Sequence, residues 1–320
     1  MIPRMRVLDA AQVQAGAPMA QLLDAIEAAY RDVSSGRDRS PIRSRVPISG
    51  GDLVLMPGVR EGGAGASVKL VTVMPGNAAR GLPTHYAMVA WFDVVTGEPL
   101  ALLDGATVTS MRTGAASGVG TRLLARSDAQ VLALFGVGGQ AAWQVRAVMA
   151  ARPIREVRVH SRTAAHREAF AAAMAEELGP GVTVVAAPTP RDALHGADVV
   201  CTATTSREPI FSADLVEPGT HLNAVGSFRL DMTELPPELF ARAGLVAVDS
   251  REAALAEAGE LVAAIRSGLI AEDAMVEIGE IPSDWAAGRD PSAITIFKSV
   301  GLAIQDLAAA ELVLANLPSD

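Results

Sequence analysis

From about residue 128 the chain alternates short apolar runs with helical ones, and no other feature narrows its fold as far. QVLALFG (130–136) runs straight into a helical pattern over 139–151, REVRVHS is extended, 163–178 is helical, and GVTVVAA and ADVVCTAT are extended again. Several of these runs carry no charge along their length, as strands do when both faces of their sheet are covered. Helices that cross between strands cover those faces and make the strands parallel. Further strands fit GTHLNAVG (219–226) and GLVAVD (244–249).

The first of these strands ends in GVGGQA, where Gly136, Gly138 and Ala141 fit G-x-G-x-x-A around Gly139 and Gln140. The first glycine allows a tight turn, the second lets backbone approach a pyrophosphate, and the third small residue lets helix pack on strand. Free N–H groups at the helix start then favour an anion. With 29 glycines in 320 residues the pattern alone is weak, and the flanking strand and helix give it meaning. A dinucleotide is expected. The second strand ends in Ser161, Arg162 and Thr163, where an NAD site commonly places a carboxylate on the ribose. A guanidinium and a hydroxyl suit a 2′-phosphate instead, so NADP(H) is the expected preference, with NAD(H) possible. The competing reading makes Arg162 a solvated residue opening a loop. Ala203 and Thr204, in CTATTS, follow a later strand and are small enough to line the nicotinamide side.

Ahead of this region, residues 19–33 place Met19, Leu22, Leu23, Ile26, Ala29, Tyr30 and Val33 on one helical stripe, stopped by Gly36. Extended runs follow at 67–73, 85–93 and 98–105, divided by turn-rich segments, and read as an antiparallel sheet. Residues 292–317 read as a helix that begins after TIFKS. A chain of 320 residues suits two domains rather than one.

Three cations stand in unusual company. Lys69 interrupts SVKLVTV on the face of Val71 and Val73, Arg112 opens the small-residue run RTGAASGVG, and Arg45 lies in PIRSRVPIS with Arg43 as its competitor. Gathered in one pocket they would bind the carboxylate of a small amino or imino acid. His85 in LPTHYAMV reads either as a pocket acid or as a hydrogen-bonded structural histidine. A net charge of −9, spread along the chain rather than gathered in a tail, argues against a nucleic-acid partner. Cys201 is the only cysteine and lies in an apolar run, the histidines have no ligand spacing, and no metal is expected. The opening MIPRMRVLDA lacks a signal-peptide core, no run would span a bilayer, and a cytoplasmic location is expected.

SRVPI, SVKLVTV, GLPTH, ALLDGATVTSMRTGAAS, FGVGGQA, SRT, NAVGSFRLDMTEL and FKSVGLAIQDLA together give a chain that resembles the ornithine cyclodeaminase/μ-crystallin family nearly end to end. The resemblance implies an α/β fold: a Rossmann-type parallel-sheet domain, residues 126–299, joined to an α+β substrate-binding and dimerisation domain, residues 1–125, completed by the C-terminal helix 300–320. It implies a homodimer. It also carries catalytic and carboxylate-binding roles onto Arg45, Lys69 and Arg112 with Thr84 nearby, a phosphate role onto Thr113, and nicotinamide contacts onto Val225, Ser299 and Gly301. Deaminating members carry an Asp where this chain has Phe228, which can neither pair with an ammonium nor relay a proton; Asp231 replaces it only if the loop is rebuilt. Reduction of Δ1-pyrroline-2-carboxylate or Δ1-piperideine-2-carboxylate to proline or pipecolate is the expected reaction. Ornithine cyclodeamination, alanine dehydrogenation, hydroxyproline dehydration and a non-enzymatic nucleotide-binding protein are the alternatives.

Overall fold

The computed structural model describes residues 5–63 and 65–318. The chain divides into two compact units, one formed by the residues up to Arg112 and those from Leu302 onward, the other by Thr113–Gly301.

The second unit is built on an eight-stranded sheet in which every pairing is parallel. Its order is Thr183–Ala186, Glu156–His160, Val131–Phe135, Val199–Thr202, His221–Ala224, Ile294–Lys298, Ala243–Val248 and Met275–Glu277. The strands Val199–Thr202, His221–Ala224 and Ile294–Lys298 are buried at every residue, which is why their sequences lack the alternation of a one-sided sheet. From Val131–Phe135 the chain builds outward one way through Glu156–His160 and Thr183–Ala186, then returns to the other side of Val131–Phe135 with Val199–Thr202. That reversal opens a crevice at the carboxyl ends of the two strands, where sheets of this kind take their ligands.

TIFKS differs from its sequence reading. Ile294–Lys298 is an inner strand, rich in the β-branched residues that strands favour, and the helix starts only at Ala303 and ends at Asn316. Gly301, at φ +84°, makes the break between them. Residues 319 and 320, the end of the expected helical segment, lie outside the described residues.

In the first unit the sheet order is Arg6–Leu8, Pro99–Asp104, His85–Asp93, Gly65–Val73, Gly51–Arg60 and Asp38–Arg39, with Ser44–Ile48 also pairing Gly51–Arg60. It is antiparallel except for Arg6–Leu8, which runs parallel to Pro99–Asp104. Helices Met19–Ser34 and Ala303–Asn316 pack on each other, and the latter covers one face of the sheet. Its first turn comes so close that a Cβ on Gly58 would lie 2.9 Å from the Ala303 carbonyl oxygen. Cross-strand register puts Arg45, Val54 and Val71, and then Met56, Lys69, Val89 and Leu103, on the face that includes buried Val54 and Met56. The alternate residues form the other face, on which Val46, Ile48, Val59, Tyr86 and Met88 remain exposed.

The small-residue run after Arg112 belongs to the helix Gly105–Leu124. Its glycines serve packing: a Cβ on Gly114 would lie 2.5 Å from the Trp143 carbonyl oxygen, and one on Gly120 would lie 2.6 Å from Asn223 Oδ1. Among the described residues no helix is long and apolar enough to cross a membrane.

Candidate active site

In the first unit three buried side chains meet. Lys69, 1 % exposed, points its Nζ at both carboxylate oxygens of Asp306, 3.0 Å from Oδ1 and 2.9 Å from Oδ2. Arg112 donates from Nε to Asp306 Oδ1 at 3.1 Å and from a terminal nitrogen to Gln305 Oε1 at 3.1 Å. Gln305 Oε1 also accepts from the Leu302 backbone at 2.6 Å, and its amide donates to the Tyr30 hydroxyl at 2.8 Å. Strand Gly65–Val73, helix Gly105–Leu124 and helix Ala303–Asn316 each contribute one charge to this cluster.

The cluster holds two basic groups and one carboxylate, all out of water. Burial pushes the Lys69 ammonium down first and the Arg112 guanidinium pushes it further, Asp306 opposes them by its charge and hydrogen bond, and Arg43 adds a small push downward. The net result is a pKa of about 7 instead of 10.5. Lys69 therefore exchanges a proton at neutral pH, as a general acid requires. Its protonated form leaves the cluster with a positive excess that an anionic ligand would offset. Arg45 shares the sheet face of Lys69 by register, and both Arg43 and Arg45 are half-buried.

Thr84 and His85 form a pair of their own, with Thr84 Oγ1 2.9 Å from His85 Nδ1 and the Thr84 carbonyl accepting from Met74 N at 2.7 Å. His85 opposes Val73 across the sheet. The residue keeps solvent contact, yet desolvation of its ring lowers its pKa and favours the neutral imidazole at pH 7.

In the second unit Gly136 ends the strand Val131–Phe135 at φ +99°, and a Cβ there would lie 2.5 Å from the Ala203 carbonyl oxygen. No L side chain fits that turn. A Cβ on Gly138 or Gly139 would meet nothing within 4 Å, which leaves an open cradle before the helix Ala141–Ala151. Gln140 occupies the N-cap without bonding the first turn through its side chain, and Ala141 is fully buried against the sheet. Open glycines ahead of uncapped helical N–H groups fit a pyrophosphate. Thr113 lies one residue before the contact of Gly114 with Trp143, in the third position of that helix.

Ala203 and Thr204 follow the strand Val199–Thr202, Val225 follows His221–Ala224, and Ser299 and Gly301 follow Ile294–Lys298, so all are strand-end residues of neighbouring strands. Asp249 organises the last pair: its Oδ2 accepts from Ser299 Oγ at 2.9 Å, Val300 N at 2.9 Å and Gly301 N at 2.7 Å. Ser161 is half-buried with its carbonyl held by Arg167 at 2.9 Å, while Arg162 and Thr163 are exposed. Cys201 is packing: burial pushes its thiol up to about 12. Among the described residues no cluster of His, Cys, Asp and Glu could hold a metal ion.

Sequence patterns understated the acidic partners. Asp306, in the segment AIQDLA, is the shared partner of both cations; Tyr30 read only as part of a helical stripe, and Gln305, Asp249, Glu234, Glu260 and Lys298 were not singled out. Lys298 could have been found by the signal that singled out Lys69, a lysine inside an apolar strand.

The sequence model of the ornithine cyclodeaminase/mu-crystallin family matches residues 4–320. A Delta(1)-pyrroline-2-carboxylate reductase of Bacillus cereus is 40 % identical over 297 residues, covering 92 % of this chain and 90 % of the relative. The structure of Thermococcus litoralis Delta(1)-pyrroline-2-carboxylate reductase with NADH and L-proline superposes with a TM-score of 0.90 at 32 % identity, covering 98 % of this chain and 97 % of that one. An archaeal alanine dehydrogenase dimer with bound NAD gives a TM-score of 0.86 at 33 % identity, covering 98 % and 95 %. The two solved structures correct the expected preference for NADP(H), because the nucleotides they hold are NADH and NAD. The physical reason lies in what was read as the phosphate site. Arg162 is exposed, whereas Arg167, the buried arginine nearby, donates from a terminal nitrogen to the Ser161 carbonyl. A missing carboxylate removes one way of holding ribose hydroxyls and does not by itself call for a phosphate.

Proposed function

The chain belongs to the ornithine cyclodeaminase/mu-crystallin family, and from that premise we propose that it reduces a cyclic imino acid of the Δ1-pyrroline-2-carboxylate type to the corresponding proline-type amino acid with NADH. The observation that carries this reading is the buried cluster of Lys69, Arg112 and Asp306, in which a lysine with a pKa of about 7 stands beside a guanidinium. It is an NAD(P)H-dependent oxidoreductase of this family, and the two solved relatives hold NADH and NAD.

Bound NADH supplies a hydride to the carbon of the C=N bond. Every other requirement falls on the chain. Arg112 and Arg45 take the substrate carboxylate, which fixes the ring. Lys69 protonates the ring nitrogen, or keeps it protonated, so that the carbon becomes a hydride acceptor; one hydride and one proton convert imine to amine. Asp306 holds the Lys69 ammonium and the Arg112 guanidinium at fixed separation. In the nucleotide unit Gly136, Gly138, Gly139, Gln140 and Ala141 serve the pyrophosphate with Thr113, Ser161 and Thr163 serve the ribose side, and Ala203, Thr204, Val225, Ser299 and Gly301 serve the nicotinamide. Thr84 and His85, a neutral pair at pH 7, serve substrate orientation rather than proton supply.

Phe228 is half-buried, and Asp231 is exposed and paired with Arg229 at 2.8 Å and Arg207 at 3.4 Å. Segment 225–231 thus offers no uncommitted carboxylate to a side-chain amine, which disfavours deamination of ornithine. The second sheet face of the first unit supports a homodimer: Val46, Ile48, Tyr86 and Met88 form an exposed apolar surface of the kind a second copy covers. Tyr86→Glu with Met88→Lys should yield monomers on gel filtration.

NADH oxidation with Δ1-pyrroline-2-carboxylate, its six-membered analogue, pyruvate plus ammonia, and ornithine in separate assays tests the reading. Turnover confined to the cyclic imino acids supports it. Ammonia release from ornithine, or reduction of pyruvate in preference to both rings, contradicts it.

A further inference from the structure

One carboxylate ties together the ends of two neighbouring strands in the parallel sheet. Glu234, fully buried, belongs to neither strand. Its Oε2 accepts from Thr202 Oγ1 at 2.9 Å, Gly226 N at 2.7 Å and Ser227 N at 3.2 Å, and its Oε1 accepts from Thr204 N at 2.6 Å and Thr204 Oγ1 at 2.8 Å. Thr202 and Thr204 lie at the end of Val199–Thr202, and Gly226 and Ser227 follow His221–Ala224. At Gly226 a Cβ would come within 2.3 Å of the Thr204 carbonyl oxygen and 2.4 Å of Glu234 Oε1, so the two loops meet through backbone alone.

Ser227 is gripped a second time. Its carbonyl and hydroxyl oxygens accept from Lys298 Nζ at 2.6 and 2.5 Å, its hydroxyl proton goes to Glu260 at 2.6 Å, and Lys298 pairs with Glu260 at 3.0 Å. Burying this much charge is expensive unless every donor and acceptor is matched, and here they are. A network so complete has no polar capacity left for a ligand. It acts on whatever the loops themselves carry, and they carry Ala203, Thr204 and Val225 at the crevice beside the strand reversal, where dinucleotides lie.

We propose that Glu234 is the positioning residue for the nicotinamide end of the bound dinucleotide, fixing the loops after Thr202 and Ala224 as one rigid edge with the Lys298–Glu260 pair as its brace. The inference rests on the reading of these strand ends as the nicotinamide side. Glu234→Gln keeps the shape and breaks the tie, since an amide nitrogen cannot accept from the N–H and O–H groups that face it.

The test compares wild type with Glu234→Gln and Thr204→Val, each confirmed as folded by circular dichroism and gel filtration. Steady-state rates are taken with NADH and 4-deuterated NADH on Δ1-pyrroline-2-carboxylate, together with the fluorescence of bound NADH. A misplacement of about 1 Å costs on the order of 100-fold. Glu234→Gln should therefore lose about 10- to 100-fold in kcat per folded molecule, move the KM for NADH much less, and raise the deuterium isotope effect on kcat; Thr204→Val should show a smaller change in the same direction. Folded Glu234→Gln with wild-type kcat and isotope effect overturns the inference. If Glu234→Gln does not fold, Thr204→Val decides, and a wild-type kcat and isotope effect there overturns it. A wild type that binds NADH yet reduces no imino acid sinks the functional reading instead; the inference is then judged on the nicotinamide emission, which Glu234→Gln should alter and which, if identical, overturns it.

Discussion

Two lysines interrupt apolar strands in this chain, one in each unit, and their surroundings separate scaffold from chemistry. Lys298 meets the Ser227 carbonyl, the Ser227 hydroxyl and the Glu260 carboxylate, an acceptor for each of its three protons. Among the described residues Lys69 Nζ meets only the Asp306 carboxylate, and Arg112 draws on the same group. The first is a closed account of charge, the second an open one. A buried lysine is therefore not a functional signal by itself; a buried lysine short of acceptors is.

Replacing each lysine by methionine should split stability from activity. Lys298→Met strands the Glu260 charge in the core, and removing one partner of a buried pair costs about 3–5 kcal/mol. Lys69→Met leaves Asp306 bonded to Arg112, so its thermal and denaturant midpoints should fall much less, while kcat/KM for imine reduction falls about 10²- to 10⁴-fold. Equal destabilisation of both variants with equal residual turnover breaks the distinction.

Next in size is Asp306→Asn. Asp306 is the group that holds the Lys69 pKa up, so its loss lowers that pKa further and leaves Arg112 with Gln305. At pH 7.5 the rate should drop about 10-fold or more, as expected when a general acid is largely deprotonated, and the loss should shrink at lower pH. A drop independent of pH assigns Asp306 to packing only.

The smallest effect concerns a titrating group with no part in the reaction. His221 is fully buried between Thr295 and Asn223, and burial pushes its pKa down to about 3 from 6.5. Between those values the unfolded chain binds the proton that the folded chain refuses. Stability thus declines as pH falls from about 6.5 toward 3 and gains nothing from this group above that window. His221→Gln should flatten the acid side of a stability profile without moving the rate profile; an unchanged acid slope contradicts the assignment.

Much of the nucleotide unit was legible because its signals are local. Strand, glycine turn and helix follow within one stretch, and Val131–Phe135, Ala141–Ala151 and Ala164–Leu178 formed close to where the periodicity put them. The inner strand Ile294–Lys298 escaped because a short apolar run before a helix has no period of its own. The strands Ser44–Ile48 and Gly51–Arg60 of the first unit, and the helix Gly105–Leu124 that begins in it, also passed unrecognised: Pro47 and Pro57 obscure the former, and the small residues of the latter hide its period. Among site residues the cations stood out, since a charge in an apolar strand is conspicuous. Their carboxylates did not, because Lys69 and Asp306 are 237 positions apart and only the fold joins them. The nucleotide preference failed for a related reason: residue type at a strand end was read without the exposure of Arg162 or the prior engagement of Arg167.

The most direct test of the account is the pH dependence of kcat/KM for imine reduction by wild type, with Asp306→Asn run beside it. If Lys69 is the acid, the wild-type rate falls as pH rises through about 7, and the falling limb of Asp306→Asn lies at lower pH. A substrate imine titrates at the same pH with both enzymes, so a limb that moves belongs to the protein. A wild-type rate flat up to pH 9, or a limb that stays in place when Asp306 is changed, contradicts the claim that this buried lysine supplies the proton.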